Sequence, residues 1–174
     1  MASLAYLYDE ARLGVGARYW QAVLDVNDSQ TERFARRIMH VMFNTVAGKR
    51  IAVLGFAFKP GTGDTRDSPA IPVCRFLVNE GALLAVYDPA VCAADICAAV
   101  PGAVVCTSAA EACSGAAALV ALTAWPAFAA LGAPALAATM LRPLLAFDGA
   151  GALNDKTMCA AGFAVHAIGR QVAA

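Results

Sequence analysis

Ile51-Ala52-Val53-Leu54-Gly55-Phe56-Ala57-Phe58-Lys59-Pro60-Gly61-Thr62-Gly63-Asp64-Thr65-Arg66-Asp67-Ser68-Pro69 is the stretch on which the fold turns. Its opening apolar run, residues 51–56, lacks polar alternation, which predicts a strand covered on both faces, as in a parallel sheet. Gly55, Gly61 and Gly63 permit close backbone approach. Ser68 and Pro69 suit the cap and first position of a following helix. In doubly wound sheets ligands sit beyond the carboxyl ends of the strands, where this loop would lie. Lys59 and Arg66 supply positive charge there, and the helix would point its first amides at an anion. The same charges could instead pair among themselves, Lys59 or Arg66 with Asp64 and Asp67, and spacing leaves both readings open. Neither G-x-G-x-x-G nor a Walker A pattern is present, so no dinucleotide fingerprint or P-loop is read.

Working outward, similar apolar runs recur at 83–87, 103–106, 117–122, 144–147 and 163–167, with helical segments between them. Gly81 offers a helix stop, and Ser108 with Glu111 three residues later a capping box. Repeated strand-helix-strand units with short connections predict an α/β fold, a Rossmann-like doubly wound parallel sheet of about six strands preceded by a long helix. Residues 1–47 read as that helical segment and 48–174 as the sheet domain. Leu4, Leu7, Tyr8 and Ala11 keep a helical period, which Gly14 and Gly16 interrupt. A second helix then starts near Ala17 and continues to about Val46, with Tyr19, Val23, Leu24, Phe34, Ile38, Val41, Met42 and Thr45 on related faces. At about 28 residues and roughly 40 Å it outgrows a small domain. It is expected to pair two subunits, with Phe34 and Ile38 on the pairing face; no strict heptad supports a coiled coil.

Of the 174 residues, 60% are hydrophobic and 15% charged, which excludes disorder. Thirteen basic residues cancel thirteen acidic ones, leaving no field for gathering nucleic acid. Ten of the thirteen precede Gly81, so an anion site is expected in the first half. No charge lies between Glu111 and Arg142, a stretch longer than the ~20 residues of a bilayer span. Gly115, Pro126, Gly132 and Pro134 break it and much of the rest is alanine, so a buried strand, a turn and a short helix are expected, and no membrane. Residues 1–12 carry Asp9 and Glu10 and lack the apolar run of a secretory leader, so a cytoplasmic protein with reduced, mostly buried cysteines is expected. No Cys-x-x-Cys pair supports a metal site. His40 and His166 read as surface or satisfied histidines, Trp20 and Trp125 as packing residues, and Arg33, Arg36 and Arg37 as a solvated helix face.

Phe56-Ala57-Phe58-Lys59 followed by Thr62-Gly63-Asp64-Thr65-Arg66 resembles the signature of the eukaryotic-type UDP-glucose 6-dehydrogenases, a branch of the UDP-glucose/GDP-mannose dehydrogenase family. Ala17-Arg18-Tyr19-Trp20-Gln21 with Asp25 and Asn27-Asp28 resembles the start of that family's central helix. Further matches are Gly81-Ala82, Val86-Tyr87-Asp88-Pro89, Thr123-Ala124-Trp125, Phe147-Asp148-Gly149, and Gly162-Phe163 before Ile168-Gly169; together they span nearly the whole chain in order.

The resemblance implies an enzyme of three parts: an NAD-binding domain, a central helical region that makes homodimers or higher homo-oligomers, and a UDP-sugar-binding domain. Residues 1–47 resemble the second and 48–174 the third. It also implies substrate contact (UDP-glucose or UDP) by Phe58 and Lys59, and contact from Arg66 to NAD bound mainly by a domain this chain does not include. The family's catalytic cysteine belongs to a Gly-Gly-x-Cys segment that this sequence lacks, so no catalytic residue is assigned and the chain by itself is expected to be inactive. Ala150 stands where the family has an arginine after Phe-Asp-Gly, and Ala124 where it tends to have glutamate, which implies weakened substrate binding. A reading from another class is a non-catalytic dimerisation scaffold.

Overall fold

The computed structural model describes residues 6–7 and 14–169. Apolar runs pair side by side as six parallel strands: β1 (Arg50–Leu54), β2 (Leu83–Tyr87), β3 (Val104–Val105), β4 (Ala118–Ala121), β5 (Leu145–Asp148) and β6 (Ala164–Ala167). Their order, β3-β2-β1-β4-β5-β6, reverses direction between β1 and β4. Register places Ile51 beside Leu84 on one side and Ala118 on the other. This is the doubly wound sheet that uniform apolar runs and short crossovers predict.

Because side chains alternate along a strand, each strand feeds two cores. Ile51, Val53, Leu84, Val86, Val120 and Phe147 face one layer, built from α1 (Gly14–Val41), α2 (Ala70–Asn79) and α3 (Ala93–Ala99). Ala52, Leu54, Leu119, Ala121 and Ala146 face the other, built from α4 (Ala109–Cys113), α5 (Pro126–Ala129), α6 (Ala133–Thr139) and α7 (Asp155–Ala160). The charge-free stretch forms the expected buried strand, β4, followed by two short helices, α5 and α6, where one was expected. No helix among the described residues is long and apolar enough to cross a membrane.

Three expectations change. Helix α1 begins at Gly14 and runs through Gly16 instead of starting near Ala17. A glycine in the first turn forfeits no hydrogen bond that the turn would otherwise make, so the cost is about 1 kcal/mol of backbone entropy. The helix stops at Val41, where Phe43 and Asn44 turn left-handed with φ of 63° and 57°, and Lys49 Nζ caps the Met42 and Thr45 carbonyls at 2.9 and 2.8 Å. Phe34 and Ile38 do not form a pairing face. They are buried in the sheet core with Ala35 and Met42. The first half of the helix, residues 15–30, buries no side chain and reaches about 24 Å beyond the packed part. Of the separate first helix, Tyr6 and Leu7 are helical, and Leu4, Tyr8 and Ala11 lie outside the described residues.

The cysteines also divide. Cys74, Cys106 and Cys113 are buried, whereas Cys92, Cys97 and Cys159 are exposed. Cys92 occupies the N-cap position of α3 without a side-chain capping bond, and Cys97 follows the buried Ile96 onto the outer face of that short helix, so apolar character alone does not bring either inside.

His166 on β6 stacks on Phe147 with ring centroids 5.2 Å apart, and its Nδ1 has no hydrogen-bond partner among the described residues. Burial, and then the nearby Arg37 guanidinium, push its pKa below the ordinary 6.5. The neutral ring is therefore the folded form. Its contribution is complete above about pH 6.5 and is lost as pH falls through the lowered folded value, because the unfolded chain takes up the proton first. Denaturant melts of His166→Phe should show a flatter acid limb below pH 6.5 than wild type.

Candidate nucleotide-binding site

The chain leaves β1 at Gly55, with φ of +90°. A Cβ there would stand 2.5 Å from Thr123 Cβ and 2.7 Å from the Thr123 amide nitrogen, so both the turn and the close approach require glycine. The next two residues, Phe56 and Ala57, are buried and their peptide groups are bonded on both sides. Their amides donate to Asp88 Oδ2 at 2.7 and 3.0 Å. Their carbonyls accept from Ser68 Oγ at 2.8 Å and Thr123 Oγ1 at 2.7 Å.

Asp88 stands one residue past β2 and is 8% exposed. Its Oδ2 also accepts from Trp125 Nε1 at 3.1 Å, and its Oδ1 accepts from the Ala90 and Val91 amides at 2.8 and 3.0 Å. Burial pushes this carboxyl up, but the amides of Phe56, Ala57, Ala90 and Val91 more than offset that and hold it below its ordinary value. The returning arm of the loop is equally close: a Cβ on Gly63 would meet the Ala90 carbonyl at 2.8 Å.

From this fixed base Phe58 and Lys59 project outward. The Phe58 amide donates to the Asp64 carbonyl at 2.9 Å, while the residue as a whole is 52% exposed. Lys59 is exposed and makes no hydrogen bond or ion pair among the described residues. Arg66 follows the other reading of the loop charges: it pairs with Asp64, Nη2 to Oδ2 at 2.7 Å and Nε to both oxygens at 3.0 and 3.1 Å. The N-terminus of α2 is not an open cradle. Ser68 lies before Pro69 rather than at the cap, and it consumes the first donors, its Oγ accepting from the Ala70 amide at 3.2 Å and its carbonyl from the Ile71 amide at 3.2 Å.

Across the end of β4, Asp148 closes β5 in a similar way. Its Oδ1 accepts from the Ala150 and Ala152 amides at 3.1 and 3.0 Å, and its Oδ2 from Leu153 at 2.9 Å. The Gly149 amide donates to the Ala121 carbonyl at 2.9 Å, and a Cβ on Gly149 would come within 3.1 Å of the Phe34 ring. Asp88, Asp148 and Thr123 are architectural residues to which sequence reading attached no role, and Ser68, read as a helix cap, instead donates to the Phe56 carbonyl. The available signal was an acid at the end of a predicted strand followed by proline or glycine, the setting of an Asx turn.

The remaining candidates are structural. Burial pushes the Cys74 and Cys113 thiols up to about 12 and also raises Cys106, so none is a thiolate at neutral pH. His40 Nδ1 lies 3.2 Å from Asn44 Oδ1 on the surface. Arg37 is half-buried and donates to the Ala167 carbonyl at 3.4 Å, so it is not part of a fully solvated face as Arg36 is.

Strand order and the locked loop after β1 define the class: a doubly wound α/β domain of the kind that carries nucleotides at the carboxyl edge of its sheet. The chain belongs to the UDP-glucose/GDP-mannose dehydrogenase family, whose UDP binding domain matches residues 52–155. It is 41% identical to UDP-glucose 6-dehydrogenase from Gallus gallus, over 99% of this chain and 38% of that protein. To the Rattus norvegicus protein of the same name it is 41% identical, over 98% of this chain and 37% of the relative. The chain thus spans about 38% of the length of the curated relatives it matches. A UDP-glucose dehydrogenase structure from the archaeon Pyrobaculum islandicum shares the fold, with a TM-score of 0.70 and 24% identity over 93% of this chain and 34% of that one.

The Asp64–Arg66 pair gives a direct check on the loop. Hydrogen bonds from the Arg66 side chain and backbone hold Asp64 at about 2, against an ordinary 3.8, so the pair opens as pH falls through about 2. In Arg66→Ala, the Asp64 carboxyl followed by NMR should titrate higher than in wild type yet still below 3.8, because the residue-66 amide keeps its bond to Oδ1 and the Lys59 charge remains.

Proposed function

We propose that this chain supplies the UDP-sugar-binding part of a UDP-glucose 6-dehydrogenase, the enzyme that oxidises UDP-glucose to UDP-glucuronate with NAD, acting in the cytoplasm. The observation that carries the reading is an exposed aromatic, Phe58, beside an ammonium, Lys59, that makes no hydrogen bond or ion pair among the described residues, both on a backbone immobilised by buried hydrogen bonds. Phe58 would wall the sugar nucleotide and Lys59 would neutralise a phosphate or reacting oxygen, with the Asp148-Gly149-Ala150 turn facing them. NAD, when bound, accepts the hydride. The segment after β1 lacks the glycine pattern of a dinucleotide site, so Arg66 is the one contact to NAD assigned to this chain.

Residues 1–47 would serve as the self-association segment and 48–174 as the binding domain, with the buried end of α1 shared by both. Val15, Tyr19 and Val26 are 76%, 64% and 58% exposed on the free half of α1, and covering apolar surface is worth about 25 cal/mol per Å². Two-fold pairing is the simplest closure. Sedimentation should show a dimer that becomes a monomer when Tyr19 and Val26 are both changed to Glu; a monomeric wild type at tens of micromolar contradicts the pairing.

Calorimetric titration of UDP-glucose tests the site. Wild type should bind in roughly the high-micromolar to millimolar range. Lys59→Ala should bind more weakly and with less salt sensitivity. Ala150→Arg should tighten binding roughly 10- to 100-fold, since a charge-assisted hydrogen bond is worth about 1.5–3 kcal/mol. Equal affinities in all three would favour the alternative, a non-catalytic dimerisation scaffold, to which the methyl groups of Ala124 and Ala150 already lend support.

A further inference from the structure

Asp88 stands out because its interactions come from three loops at once. Five N–H groups converge on its two oxygens: Phe56 and Ala57 from the loop after β1, Ala90 and Val91 from its own loop, and the Trp125 indole from the loop after β4. An ionised carboxylate offers about four lone-pair sites. Asp88 therefore has no accepting capacity left for a ligand, and at 8% exposure no surface to present to one. Its place in the fold makes this informative. In dinucleotide folds of this strand order, an acidic residue downstream of the glycine turn takes a ribose hydroxyl. Here the acid closing β2, the strand beside β1, faces inward.

We propose that Asp88 is the positioning and selectivity residue of this site: it fixes the direction in which Phe58 and Lys59 leave the sheet, and its inward-turned oxygens deny the site a carboxylate for the ribose of an adenine dinucleotide. The inference rests on the reading that the site takes UDP. The chain runs from Asp88 through the Phe56 and Ala57 amides, whose carbonyls Ser68 and Thr123 hold from the other side, to the two residues that project. Charge and position predict opposite signs. A negative charge near a diphosphate disfavours it, so deleting the charge should tighten binding if electrostatics were its whole effect. If Asp88 acts by position, deletion weakens binding.

The experiment is a calorimetric titration of UDP and of ADP-ribose into the full 174-residue chain and its Asp88→Asn and Trp125→Phe variants. Asp88→Asn turns one acceptor into an amide that opposes the converging N–H groups, and UDP affinity should fall at least tenfold. Trp125→Phe keeps an aromatic ring and removes one donor. It should lower UDP affinity severalfold and speed hydrogen exchange at the Phe56 and Ala57 amides, which serves as the reading if Asp88→Asn does not fold. Wild type should give no heat with ADP-ribose. Absence of UDP binding by wild type overturns the UDP reading and the inference with it. UDP binding by wild type that is unchanged or tighter in a folded Asp88→Asn, or unchanged in Trp125→Phe together with unchanged exchange, overturns the positioning role and leaves the reading intact. ADP-ribose bound as well as UDP overturns the selectivity role.

Discussion

A charge withdrawn from water has to find partners, and Asp88 finds its own in the backbone of the loops it joins. Removing a carboxylate from solvent costs several kcal/mol unless hydrogen bonds replace its hydration. Five N–H groups do so here, and they can converge on one carboxylate only if the ends of β1, β2 and β4 hold fixed positions. The local features follow from that convergence. Gly55 lets the backbone pass against Thr123, and Gly63 lets the loop lie against the Ala90 carbonyl. Ser68 and Thr123 then satisfy the two carbonyls that would otherwise be buried without donors. The site is stiff because its polar backbone is bonded on both sides.

The long helix has two different tasks along one cylinder. From Phe34 onward it covers the sheet face that α2 and α3 leave open, and Phe34 itself packs on Gly149 at the carboxyl edge. Before Phe34 it carries Tyr19, Val23, Leu24 and Val26 with none of them buried. Both parts carry apolar side chains, in opposite surroundings. The core of the sheet and the exposed arm are therefore parts of one continuous helix, whose packed end reaches Gly149.

Electrostatically the site is sparse. Arg66 is engaged by Asp64, the first amides of α2 are used by Ser68, and the turn after Asp148 presents alanine and glycine. That leaves Lys59 as the loop cation that makes no hydrogen bond or ion pair among the described residues. A domain of this family with so little fixed positive charge would depend on shape and on one ammonium for its hold on an anionic ligand.

Much of the architecture was legible in the sequence because its determinants are local. Unbroken apolar runs marked strands covered on both faces, Gly81 marked a helix end with φ of +84°, and Ser108 capped α4 as its spacing suggested. The loop from Gly55 to Ser68 was legible as a candidate site, since glycines and cations after a strand are a short-range signal. Tertiary structure decided what that signal could not contain. Whether Phe34 and Ile38 meet a sheet or another subunit depends on which layer lies beneath them, and periodicity describes only the stripe. Whether Arg66 or Lys59 is free depends on where Asp64 points. The local turn supplies Asp88 with the amides of 90 and 91, but its role depends on donors at positions 56, 57 and 125, which no local pattern brings to it; the order of strands in the sheet does so.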